Sequence, residues 1–163
     1  MAGLSHPGER DSFGTAVEAS IQLREITRDN LRAVLKLSVS PEQSKFVATN
    51  AQSIAEAHFE PTAWFRAIYA GEVPVGFVML ATLPAEGLYY VWRFMIDQRH
   101  QRHGYGRRAM ETVIEHVRRQ PNATRLTLSF VPDPNGPEGF YAKLGFVRTG
   151  EVDDGEVVAA LAL

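Results

Sequence analysis

The stretch IQLREI at residues 21–26 alternates apolar and polar positions, as a strand with one buried face does. Leu31, Val34, Leu35 and Ser38 then recur at helical spacing. Thr27 is placed to cap that helix, and Pro41 ends it. A second short helix is predicted over 51–60, before Pro61. AWFRAIYA (63–70) and VPVGFVMLAT (73–82) read as strands flanking a Gly71-Glu72 hairpin turn, with Pro74 at a strand start or edge. LYYVWRFMID (88–97) is a long aromatic and β-branched strand. From about Gly104 to Gln120 the period becomes helical: Ala109, Val113 and Val117 form a stripe, with Met110 and Ile114 beside it. Pro121 stops that helix. A strand over 124–131, a short helix over 137–145 and two terminal strands over 146–150 and 156–163 complete the pattern, the last two joined by Asp153-Asp154-Gly155.

The predicted order is β-α-α-β-β-β-α-β-α-β-β. Meandering strands come first and a β-α-β unit later, so the fold class is mixed α/β (α+β) rather than a doubly wound sheet. At 163 residues the chain suits one domain, expected over 20–163, with residues 1–19 as a mobile tail. The tail lacks a basic start followed by an apolar run, and no apolar stretch approaches membrane-spanning length, so a cytoplasmic protein is expected. A net charge of −2 provides no field for nucleic acid or membrane. The absence of cysteine excludes thiolate nucleophiles and cysteine-type metal sites, and no metal is expected.

Candidate chemistry concentrates in QRHGYGRRAM, residues 101–110. Read literally, Gly104-x-Gly106-x-x-Ala109 fits a dinucleotide fingerprint. That reading fits poorly, because several residues separate the glycines from the end of the preceding strand at Asp97. The nearest acidic residue placed to read a ribose, Asp133, lies in a proline-rich loop. The better reading is a helix N-terminus whose free N–H groups and neighbouring Arg102, His103, Arg107 and Arg108 favour an anion such as a pyrophosphate.

Gln101-Arg102-His103-Gly104-Tyr105-Gly106 resembles the Q/R-x-x-G-x-G/A acyl-CoA pyrophosphate loop of the GNAT superfamily of N-acetyltransferases. RFMIDQRHQRHGYG resembles that family's central strand and loop. FYAKLGF (140–146) resembles its C-terminal signature, and TGEVDDGEVV the closing strands of the bacterial diamine and polyamine acetyltransferase subgroup. The likeness runs from about Ile21 to the C-terminus. It implies a mostly antiparallel mixed sheet with a splayed central strand pair and about four helices, acetyl-CoA as co-substrate, and a homodimer.

It also implies roles. Backbone from Gln101 through Arg102, His103, Gly104, Tyr105 and Gly106 to Arg107 would hold the pyrophosphate, and backbone at Met95 and Ile96 would face the thioester. Tyr141 would be the acid that protonates the leaving thiolate, a role a phenol can fill. The preceding loop departs from the family pattern: Pro134 and Pro137 stand where an asparagine and an alanine are common, so Asn135 is left unassigned. Glu42, Phe46, Tyr90 and Trp92 are the candidate acceptor contacts, since a polyamine would want carboxylates and aromatic faces. Amino-acid, antibiotic or peptide amines, or an acyl-CoA sensor without catalysis, remain open. No base stands out among Glu42, Glu56, His58, Glu86 and His103.

Overall fold

The computed structural model of the chain describes residues 18–163. It holds β1 (Ile21–Arg24), α1 (Leu31–Leu35), α2 (Asn50–Phe59), β2 (Ala63–Ala70), β3 (Val73–Leu83), β4 (Leu88–Ile96), α3 (Tyr105–Arg118), β5 (Arg125–Phe130), α4 (Glu138–Lys143), β6 (Val147–Asp153) and β7 (Glu156–Ala162), with single 3-10 turns at Pro84–Glu86 and Gln98–His100. The strands form one sheet in the order β1-β2-β3-β4-β5-β7-β6. Every neighbouring pair is antiparallel except β4 and β5. This is the mixed α/β fold expected. Of the mobile tail expected over 1–19, only Glu18 and Ala19 lie within the described residues. Ala19 packs against the core and its carbonyl accepts a hydrogen bond from Arg108.

Helices cover both faces of the sheet, so its central strand is apolar throughout rather than alternating. Along β3, Phe77 and Met79 pack with Val34, Leu37 and Met95 on one face, while Val78 and Leu80 join α3 on the other. The predicted α3 stripe is fully buried: Ala109, Val113 and Val117 have no exposed surface. Pro74 sits at the start of β3, before pairing with β4 begins at Gly76.

Two expectations are corrected. The first helix is shorter than its pattern suggested, and its buried face is Val34 and Leu37, with Leu35 41% exposed. Beyond Val34 the chain tightens, Lys36 N–H donating to Ala33 and Leu37 N–H to Val34, so residues three apart come into line. The sixth strand runs past Gly150 to Asp153, because a bulge between Arg148 and Val152 absorbs the glycine without ending the pairing.

Candidate active site

The β4–β5 pair supplies the opening. Pairing includes Tyr90 with Thr127 and Val91 with Leu128 and then stops, although both strands continue. Immediately after Val91 the ladder to β3 skips Trp92: Leu80 faces Val91, and Met79 faces Arg93. A bulge bends and twists its strand, and here it falls where β4 leaves β5. Past this point the facing edges have no strand between them, and their main-chain groups border a cleft. The expected splayed pair is therefore present, and two cavities occupy the cleft.

The first, of about 500 Å³, is lined by Met95, Ile96, Gln101, Arg102, Gly104, Gly106, Arg107, Phe140 and Tyr141, among others. Its rim is built on Asp97, which is 1% exposed at the end of β4. The Asp97 carboxylate accepts from Ser38 N–H (2.9 Å), Arg99 N–H (3.0 Å) and Arg99 Nε (2.9 Å). Burial by itself would raise this carboxyl. The hydrogen bonds from Arg99 and Ser38 and the Arg99 charge outweigh it and hold the group below the ordinary carboxylate range.

Gln101 then locks the loop, its Nε2 donating to the Ile96 carbonyl (2.9 Å) and to Gln43 Oε1 (2.8 Å). Arg102 (φ 63°) and Gly104 (φ 75°) curl the chain through left-handed backbone into α3. No backbone N–H from Gln101 to Arg107 donates to any described residue. A curled run of free N–H groups at a helix N-terminus, beside Arg102 and Arg107, has the geometry that suits an anion. A Cβ on Gly106 would meet only Phe140 and Ile96, at 3.5 and 3.6 Å, so the packing does not demand glycine there. The residue lines the cavity, and its missing side chain leaves the backbone open to a ligand. His103 is exposed and stacks on Tyr105 (5.4 Å between centroids); neither side chain lines the cavity.

The second cavity, of about 640 Å³, lies on the other side of the splay. Its lining includes Phe46, Tyr90, Trp92, Arg93, Ser129, Tyr141, Asp153, Asp154 and Glu156. Phe46, Tyr90 and Trp92 are thus brought together, whereas Glu42 is exposed on a turn and lines neither cavity. The two cations here already have partners: Arg93 with Glu56 (3.1 Å) and Lys45 with Asp133 (3.1 Å). Asp153, Asp154 and Glu156 form no ion pair among the described residues.

Tyr141 lines both cavities. Phe130, Phe140 and Phe146 hold its ring, at centroid distances of 6.5, 5.3 and 5.7 Å. Its hydroxyl has no hydrogen-bond partner among the described residues. Burial, and then the nearby Tyr90, push the phenol above its ordinary value, so it keeps its proton.

Some site residues carry no signal in the sequence. Gln43 acts only by reaching Gln101 across the fold. Ser129 and Glu156 look like ordinary strand positions. Asp153-Asp154 reads as a hairpin turn, and only β7 pairing with β5 aims it at the cleft. Asn135 lines the first cavity, its N–H donating to Asp133 Oδ1 (2.8 Å). Of the unassigned titratable groups, Glu56 is tied to Arg93, and Glu86 is exposed on the turn before β4.

The model of the acetyltransferase (GNAT) family matches residues 22–146. A spermine/spermidine N(1)-acetyltransferase of Bacillus subtilis (strain 168) is 29% identical over 150 residues, covering 85% of this chain and 96% of that protein. Among solved structures, an acetyltransferase from Thermus thermophilus superposes with a TM-score of 0.69 at 17% identity, covering 88% of this chain and 97% of the other. A PaiA N-acetyltransferase from Thermoplasma acidophilum, in complex with coenzyme A, superposes with a TM-score of 0.66 at 13% identity, covering 88% and 99%.

Proposed function

This chain belongs to the acetyltransferase (GNAT) family, and from that premise we propose that it moves an acetyl group from acetyl-CoA to a primary amine of a diamine or polyamine, by direct attack. The observation that carries this reading is the meeting of two unlike cavities at one phenol, Tyr141. The free N–H groups from Gln101 to Arg107 suit a pyrophosphate, and the cavity beyond them leads along β4 to Tyr141. From the opposite side a neutral amine attacks the thioester carbonyl carbon, the carbon–sulfur bond breaks, Tyr141 gives its proton to the leaving sulfur, and the proton the nitrogen sheds as the amide forms restores the Tyr141 phenol. No covalent enzyme intermediate is needed, in keeping with a chain that has no cysteine.

The acceptor class is inferred from charge. The second cavity pairs off Arg93 and Lys45 and leaves Asp153, Asp154 and Glu156 for a ligand cation, beside the faces of Phe46, Tyr90 and Trp92. The relative from Bacillus subtilis, a spermine/spermidine N(1)-acetyltransferase, supports the same class. Thiol release from acetyl-CoA, measured over alkyl diamines, polyamines, amino acids and peptides, tests it. Preference for an acceptor with a second cation supports the reading, and preference for monocations or anions refutes it. Binding of acetyl-CoA without thiol release for any amine would favour the sensor instead. One observation favours an acceptor carrying a carboxylate: Arg93 Nε is buried without a partner among the described residues. The same panel separates that reading.

Two copies pairing through β6 fit the same picture. That edge strand is exposed throughout, with Val147 and Val152 each 68% exposed. Sedimentation of wild type against Val152→Lys tests it: a dimer that Val152→Lys dissociates supports the pairing, and a wild-type monomer refutes it.

A further inference from the structure

An acceptor amine must lose a proton before it can attack. An alkylamine is protonated at neutral pH, and an ammonium has no lone pair with which to attack. The second cavity contains a chain of hydroxyls that ends on a carboxylate. Tyr90 Oη and Ser129 Oγ are 2.6 Å apart, and Ser129 Oγ donates to Glu156 Oε2. Its members come from three strands: Tyr90 from β4, Ser129 from β5 and Glu156 from β7.

The direction of the chain follows from counting protons. A carboxylate only accepts, so the single Ser129 proton points to Glu156. Ser129 Oγ then has only lone pairs left for Tyr90, and the Tyr90 hydroxyl must be the donor to it. Tyr90 Oη is left with lone pairs alone. The oxygen is polarised to receive a proton, and it belongs to a residue lining the cavity that Tyr141 also lines.

We propose that Tyr90, Ser129 and Glu156 form a proton relay that deprotonates the acceptor ammonium. The inference rests on the amine-acetylation reading above. The ammonium N–H bond breaks and its proton goes to Tyr90 Oη. The Tyr90 proton moves to Ser129 Oγ, and the Ser129 proton moves to Glu156, which becomes a neutral carboxyl. The nitrogen keeps its electron pair and attacks. Charge is conserved: one cation and one carboxylate become a neutral amine and a neutral acid, and Glu156, which is only partly buried, returns the proton to water. Tyr141 supplies a different proton to the sulfur, and the second proton that the nitrogen sheds once the new carbon–nitrogen bond forms restores the Tyr141 phenol, so the acid and the base handle separate protons. Tyr90 is the catalytic member, touching the acceptor; Ser129 and Glu156 act through it.

Other charged groups around the relay leave Glu156 in this role. Asp153 is its register partner on β6, with Asp154 at the turn. Lys45 and Arg93, the cations of the same cavity, are engaged by Asp133 and Glu56. None of these hydrogen-bonds Tyr90 or Ser129.

The test compares Ser129→Ala, Tyr90→Phe and Glu156→Gln with wild type, by thiol release against pH, on an alkyl diamine and on a hydroxylamine-type acceptor that is already neutral at pH 7. With the diamine at pH 7, each variant should lose about tenfold or more in kcat/KM, and the deficit should shrink as the pH approaches the diamine's own pKa. With the neutral acceptor the loss should be under about threefold in the same experiment. Ser129→Ala is the decisive variant, because it keeps the Glu156 charge. If Glu156 only anchors a cation, Ser129→Ala stays near wild type while Glu156→Gln raises KM, and the relay is refuted. A deficit in Ser129→Ala that is equal at all pH values and for both acceptors marks a structural role and refutes it too. The wild-type rates read the amine-acetylation reading and the variant-to-wild-type ratios read the relay, so the two fail separately.

Discussion

The two cavities that meet at Tyr141 are made of different material. The cavity proposed for the donor is mostly main chain: a curled loop of free N–H groups set by Asp97, Gln101 and two left-handed residues. The cavity proposed for the acceptor is mostly side chain, contributed by the loop around Phe46, by β4 and β5 and by the β6–β7 hairpin. A backbone cradle recognises a group shared by every acyl-CoA and tolerates most side chains pointing away from it. A side-chain pocket sets its ligand residue by residue. The difference teaches where substitutions should hurt binding broadly and where they should alter preference.

The largest effect is expected where the two sides join. Tyr141→Phe should lower kcat by about 10²–10³-fold, within the usual range for a general acid, while acetyl-CoA affinity in equilibrium titration stays near wild type. Because burial and Tyr90 raise this phenol, kcat should show no loss from its ionisation between pH 7 and 10. An alkaline fall in that range that disappears in Tyr141→Phe would overturn the assignment.

Next come the supports of the donor side. Asp97→Asn should destabilise the fold by about 1–3 kcal/mol at pH 7, read by denaturant unfolding, since it leaves buried donors poorly matched. The folded Asp97 carboxyl lies below its unfolded value near 4, so its contribution is present above about pH 4 and lost as the pH falls through the folded value. Wild-type and variant stabilities should therefore converge in acid. Gly106→Val should weaken acetyl-CoA binding by about tenfold or more, because the new side chain projects into the cradle, with a Tm close to wild type because the site itself has room. Unchanged affinity in that folded variant would remove the cradle.

Smaller effects belong to the acceptor side. Asp153→Asn with Asp154→Asn should raise KM for a diamine severalfold, on the order of 1 kcal/mol for partly solvated charges, and leave kcat nearly constant. Glu42→Gln should change KM by less than about twofold, as expected of a solvated carboxylate outside both cavities. A larger effect there would mean that the 41–47 segment moves over the acceptor.

The asymmetry between the two sides also explains what is legible in the sequence. The element order, the α3 stripe and the glycine loop depend on neighbours within a few residues, and periodicity and turn chemistry report such neighbours directly. The end of α1 departs from its pattern because a single tightened turn exchanges which side chains face inward. That exchange costs little locally and is decided by what the sheet offers to bury. Gln43 has no readable role because its partner, Gln101, is 58 positions away. The Tyr90–Ser129–Glu156 chain joins residues 39 and 27 positions apart, each an ordinary member of its own strand.

What the sequence by itself determined is therefore the local part: a mixed fold, a helix opened by a glycine turn amid basic residues, and a tyrosine in a family-like signature. Those features follow from main-chain geometry and near-neighbour spacing. The tertiary structure alone decided that β4 and β5 part after Val91, that Tyr141 stands between two cavities, and that three carboxylates from a hairpin turn and its strand face the second one. Strand register and the bulge at Trp92 settle these matters, and both depend on pairing between segments distant in the chain.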